Sequence, residues 1–135
     1  MTDIERKRFY NSGDYRSLTD AQRREFKHVV EDLDERGLLK VSDVPIIASY
    51  ARNVLLARLA SRELEKRGIL LDEQDKYHGV KTKQNPAVDI LQRAQSAMEK
   101  TAIQLGLTPT GRKRLKGEEQ VKSPLDTFME EIGNG

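Results

Sequence analysis

Arg112, Lys113, Arg114 and Lys116 place four cations within five consecutive positions. A block of this kind can neutralise the phosphates of a nucleic acid. With Lys122, the stretch 109–122 holds five basic residues against Glu118 and Glu119, a balance of +3. The stretch 123–135 reverses the sign: it has no basic residue and three acidic ones, Asp126, Glu130 and Glu131. Arg6, Lys7 and Arg8 form a smaller basic cluster near the start. Each run also fits a plain solvated helix face. A symmetric assembly would change its weight, because a modest charge repeated in every copy becomes a ring or stripe of positive potential.

Other chemistry is poorly supported. Gly106 and Gly111 followed by Arg112-Lys113 resemble a phosphate-binding loop only superficially. That loop needs Gly-Lys-Ser/Thr after a strand, and here a helical pattern precedes it and no hydroxyl follows. Asp72, Glu73 and Asp75 lack the spacing of a calcium loop and read as a solvated loop tip. His28 and His78 have no second His or Cys at metal-ligand spacing. No nucleophile, base and orienting acid can be assembled. The chain is therefore expected not to be an enzyme and to need no cofactor or metal.

The elements that carry these residues are helical. Thr19 is an N-cap, and Phe26, Val29, Val30 and Leu33 form one apolar stripe that Gly37 stops, which predicts a helix over 19–36. Its other face carries Glu31, Asp32, Asp34 and Glu35. Ser42 or Asp43 caps the next helix, with Pro45 in its first turn and Gly68 at its end. The stripe of this second helix runs through Val44, Ile47, Ala48, Ala51, Val54, Leu55 and Leu59, while Leu56, Ala57 and Ala60 fall outside it. An amphipathic helix of a monomer needs one apolar face. The surplus predicts a second partner for this helix, from the same chain or from another copy; Ile47, Tyr50, Ala51, Val54, Leu55, Leu56 and Leu59 are assigned to a subunit interface. Residues 69–85 read as an irregular β-hairpin or a long loop. Asn85-Pro86 opens a third helix whose stripe is Ala87, Ile90, Leu91, Ala94, Met98, Ala102 and Leu105, and Gly106 stops it. Thr108-Pro109 then starts a short basic helix over 109–116. Ser123-Pro124 opens a last amphipathic segment with Leu125, Phe128, Met129 and Ile132 on one side.

The composition agrees with an associating helical protein. In 135 residues, 24 Lys and Arg offset 22 Asp and Glu; 34% of residues are charged, 5% are aromatic and none is Trp. So little core material favours association. The absence of Cys excludes a disulfide framework. No apolar run approaches the roughly 18 residues of a membrane span. The charged start, Met1 to Arg8, has no apolar stretch behind it, so the expectation is a soluble intracellular protein without a secretory signal or a membrane partner.

The order of motifs resembles the small subunit of phage terminases, specifically the family of cohesive-end tailed phages. The matching residues are Asp43-Val44-Pro45-Ile46-Ile47-Ala48-Ser49-Tyr50-Ala51, the stop at Gly68, and the polar loop into Asn85-Pro86-Ala87. Ala102-Ile103-Gln104-Leu105-Gly106-Leu107-Thr108-Pro109 and the closing run Arg112 to Leu115 complete the series. The resemblance covers about residues 18 to 116. It implies a non-catalytic protein that assembles as a homo-oligomeric ring and binds viral double-stranded DNA at the packaging start. It also implies regulation of a large subunit carrying ATPase and nuclease, often with an HNH endonuclease assisting, in the cytoplasm of the infected bacterial host.

Together these readings predict a mainly α fold: a long antiparallel helical hairpin, an additional N-terminal helix, and a short β-hairpin or loop between the long helices. Residues 1–18 are expected as a flexible arm, 19–116 as the oligomerisation and DNA-binding core, and 117–135 as a tail with a short amphipathic helix. DNA contact is assigned to Arg112, Lys113, Arg114 and Lys116, helped by Arg6, Lys7 and Arg8. Docking of the large subunit is assigned to Leu125, Phe128, Met129 and Ile132. Two rival functions fit the same residues: a small dimeric DNA-binding regulator, and a structural phage assembly protein with no nucleic-acid contact.

Overall fold

The computed structural model describes residues 1–120, 128–129 and 131–133, without the side chains of 118–120. In chain order the elements are α1 (Asp3–Tyr10), α2 (Gly13–Arg16), α3 (Asp20–Glu35), a 3-10 turn (Val41–Asp43), α4 (Val44–Arg67), β1 (Leu70–Asp75), β2 (Gly79–Gln84), α5 (Ala87–Leu105) and α6 (Pro109–Gln120). The fold is mainly α, as the periodicity predicts, with α4 and α5 packed as a hairpin and a two-stranded antiparallel ribbon between them.

Local chemistry accounts for most boundaries. Thr19 accepts a hydrogen bond from the Gln22 amide and Gln22 returns one to Thr19, a reciprocal cap for α3. Gly37 ends α3, with the Leu38 amide donating to Leu33 and the Gly37 amide to Asp34. Asp43 stands at the cap position of α4 but makes no side-chain cap bond, and Pro45 sits in the first turn. At the other end of the hairpin Asn85 is 2% exposed. Its Nδ2 donates to the Gly68 carbonyl at 3.0 Å and its Oδ1 accepts from the Ala87 amide at 3.0 Å. One buried side chain therefore ties the end of α4 to the start of α5.

The core has two parts. In the first, Phe26, Val29, Val30 and Leu33 of α3 pack on Val44, Ile47, Ala48 and Ala51 of α4, with Leu105 closing the far side. Each large side chain here contributes about 1.5–3 kcal/mol by leaving water. The second part is the seam between α4 and α5, where Val54, Ala57, Ala60, Ala87 and Ala94 are buried. Small side chains let the two backbones approach closely but remove little apolar area from water.

Residues 1–18 depart from the expected arm. They form α1, capped reciprocally by Thr2 and Glu5, and α2, capped by Ser12. Phe9 and Leu18 are buried in the core, and Tyr10 and Tyr15 stack edge to face on each other and against Phe26. The segment is too short for a helical period to emerge, which hid two aromatic anchors supplied by non-consecutive turns.

Candidate nucleic-acid and subunit interfaces

The basic block lies on α6, and its setting is built by two glycines. Gly106 ends α5 at φ +79°, with its amide bonded to Ile103 and the Leu107 amide to Ala102. Thr108 Oγ1 then accepts from the Gly111 amide at 2.9 Å and Pro109 opens the new helix, as the cap-plus-proline reading predicts. Gly111 is buried against α5: a Cβ there would lie 2.3 Å from the Ile103 carbonyl oxygen. A glycine that propensity would count against a helix thus seats α6 directly on the backbone of α5. Arg112 Nη1 donates to the Gly106 carbonyl at 3.3 Å, so one cation of the block also fixes this corner. Arg112, Lys113 and Lys116 share one side of α6 with Pro109 and Thr110, along an open cleft of about 460 Å³. Arg114 lies on another side and is exposed.

The helper cluster lies on α1. Arg6, Lys7 and Arg8 are exposed on α1. Arg8 borders a cleft with Glu5, Asp34 and Val41. The fold adds cations that no run in the sequence marks. Arg23 donates to the Tyr15 and Arg16 carbonyls and lies 5.3 Å from the Tyr15 ring. Lys27 sits 5.9 Å from the Tyr10 ring, and Arg52 donates to Ser17 Oγ. Arg52 is 35 positions from Ser17, so only the packing of α2 on α4 brings it to the corner where Arg23 meets Arg16.

The seven apolar residues assigned to a subunit interface separate into three groups. Ile47, Ala51 and Val54 are at most 6% exposed and belong to the protomer's own interior. Tyr50 lines a groove of about 570 Å³ with Glu25, Arg58, Leu91 and Met98. Burial raises its hydroxyl pKa, and the Glu25 carboxylate adds to the effect. Leu55 is half-buried, while Leu56 and Leu59 are 44% and 60% exposed. The sequence stripe had put Leu59 inside and Ala57 and Ala60 outside it. The structure reverses this: Ala57 and Ala60 are buried with Val54 in the seam with α5, and Leu59 faces outward. Leu56 and Leu59 then form an outward strip one turn long.

Other candidate residues have local partners. Asp75 accepts from the Tyr77 amide and lies 3.0 Å from His78, Glu73 pairs with Lys83, and Asp72 accepts from Thr82. His28 lies 3.9 Å from Glu25, which also meets Arg58. Among the described residues, no group of three His, Cys, Asp or Glu could hold a metal ion, and no helix is long and apolar enough to cross a membrane. In the tail, Phe128, Met129 and Ile132 are 57–61% exposed, and Leu125 lies outside the described residues.

The family model for the phage terminase small subunit matches residues 23–122, from α3 through α6. No curated protein and no solved structure matches the chain. The matched region holds the helical hairpin, the corner at Gly106 and the basic helix, and it amounts to well over half of the sequence. The chain belongs to the phage terminase small-subunit family, a non-catalytic component whose ATPase and nuclease activities reside in the large subunit.

Proposed function

We propose that copies of this chain assemble as a closed ring that binds viral double-stranded DNA at the packaging start and regulates the large subunit. The family match over 23–122 carries this reading. The ring acts in the cytoplasm of the infected bacterial host, where an HNH endonuclease is a further partner. Subunits meet through the outward strip Leu56 and Leu59, which the protomer leaves exposed, with half-buried Leu55 beside it. The alanine-rich seam of the hairpin buries little apolar area, so neighbouring copies add burial where the monomer has least. DNA contact falls to Arg112, Lys113 and Lys116 with Arg114, and the surface around Arg16, Arg23, Lys27 and Arg52 supports it. The contacts are mainly to phosphates, which makes binding steeply salt-dependent.

The test replaces Arg112, Lys113 and Arg114 together with Ala. DNA affinity at low salt should fall sharply. The slope of log K against log salt should become shallower by about 2–3, near 0.9 per lost phosphate contact. Unchanged binding at low salt would remove α6 from the interface. A clean dimer with a short palindromic site would favour the regulator instead.

A further inference from the structure

The β1–β2 ribbon has little support from the other described elements. Every residue in it is exposed except Leu71 and Asp75, which are half-buried. Among the described residues each strand packs extensively only on the other. An isolated two-stranded ribbon is marginal in water. The register pairs Leu70 with Gln84 and Asp75 with Gly79, and the Asn85 amide donates to Ile69 just beyond it. Antiparallel pairs alternate between bonded and non-bonded. The inward-bonded pairs are therefore Leu71–Lys83, Glu73–Lys81 and Asp75–Gly79. The main-chain groups of Leu70, Asp72 and Gln74 point out of one edge, and those of Val80, Thr82 and Gln84 out of the other. Uncovered edges of this kind are templates for another strand.

The two edges differ in charge. β1 carries Asp72, Glu73 and Asp75 with no basic residue, and β2 carries Lys81 and Lys83 with no acidic one. We infer that the β1 edge of one copy pairs with the β2 edge of the next, so that the ribbons of the assembly join into one continuous antiparallel sheet. This rests on the ring reading above and specifies how its copies join. Rotation about a ring axis keeps every ribbon in the same orientation, so β2 of one copy meets β1 of its neighbour running the opposite way, as within the ribbon. If the copies pair in the register of the ribbon itself, Glu73 has a lysine on both sides. Pairing β1 with β1, or β2 with β2, would set like charges side by side and is disfavoured. The charge pattern therefore selects head-to-tail contact, the kind that closes a ring. The same pairing would flank Leu70 and Val80, each 64% exposed in the single chain.

Two measurements test this on the full-length protein. In Gln74→Pro, an outward amide is lost and every inward ladder bond is kept. Dissociation of the assembly on dilution, followed by native mass spectrometry, should shift about tenfold per interface, the scale of one lost inter-chain hydrogen bond. Helix content by circular dichroism should stay unchanged. An unshifted assembly would count against strand pairing. Independently, unlabelled and 15N-labelled wild-type chains are dissociated, reassembled together and treated with a zero-length carboxyl–amine cross-linker. Mixed-isotope links between the 72–75 acids and Lys81 or Lys83 are expected. Closed rings with only same-isotope links at these residues would overturn the inference and leave the ring standing. A wild-type protein that forms no closed assembly would overturn both.

Discussion

At the scale of single residues, Gly111 shows how backbone proximity outweighs propensity. Exchanging a helical glycine for alanine ordinarily stabilises a helix, by about 1 kcal/mol in its interior and less in the first turn where Gly111 sits. Here the new Cβ would stand 2.3 Å from a carbonyl oxygen, and overpacking of that kind costs roughly 1–3 kcal/mol. Gly111→Ala should therefore lower the urea midpoint, with a net loss of up to about 2 kcal/mol, and move the α6 cations off their seat. A raised midpoint would show that α6 does not rest on α5 in this way. Gly106 is constrained twice over, by φ +79° and by Leu115 and Leu38, whose methyl groups lie 2.9 and 3.0 Å from where a Cβ would be. The Gly106 stop and the Thr108-Pro109 start are both local signals and are legible in the sequence. The contact that requires Gly111 joins two helices and is not.

At the scale of elements, the long helices and their ends follow from caps, stripes and glycines. The faces they present do not. The stripe through Leu55 and Leu59 continues the pattern of Ile47, Ala51 and Val54, yet α5 covers Ala57 and Ala60 instead and leaves Leu59 exposed. No helical period can report this, because it depends on where α5 lies. The return of the chain to α5 depends on Asn85. Asn85→Ala would leave the Gly68 carbonyl and the Ala87 amide without their side-chain partner in a buried corner, a loss of roughly 1–3 kcal/mol. Asn85→Asp should not rescue it, since a carboxylate oxygen would then face the Gly68 carbonyl. Thermal unfolding of the two variants checks this; a stability of Asn85→Asp equal to wild type would show that the donated bond contributes nothing.

At the scale of the whole molecule, charge and apolar surface are segregated along the chain. The basic helix, the exposed strip on α4 and the acidic tail occupy different stretches of the sequence, so the proposed DNA, subunit and large-subunit contacts should be separable by mutation. Deleting residues 123–135 should spare DNA binding and abolish co-purification with the large subunit. Retained co-purification would move that contact elsewhere on the molecule.

The sequence by itself determined the helical class, the hairpin, the basic block and the resemblance to terminase small subunits. These rest on period, composition and neighbours a few positions apart, where one chain segment carries its own physics. Only the tertiary structure decided that residues 1–18 fold onto the core, that Ile47, Ala51 and Val54 are interior while Leu56 and Leu59 face outward, and that Arg52 joins Arg16 and Arg23. The charge difference between the ribbon's edges was visible as letters, but it acquired meaning only when the register showed which amides point away. Burial and edge exposure depend on what lies opposite a residue, and that is settled by distant segments.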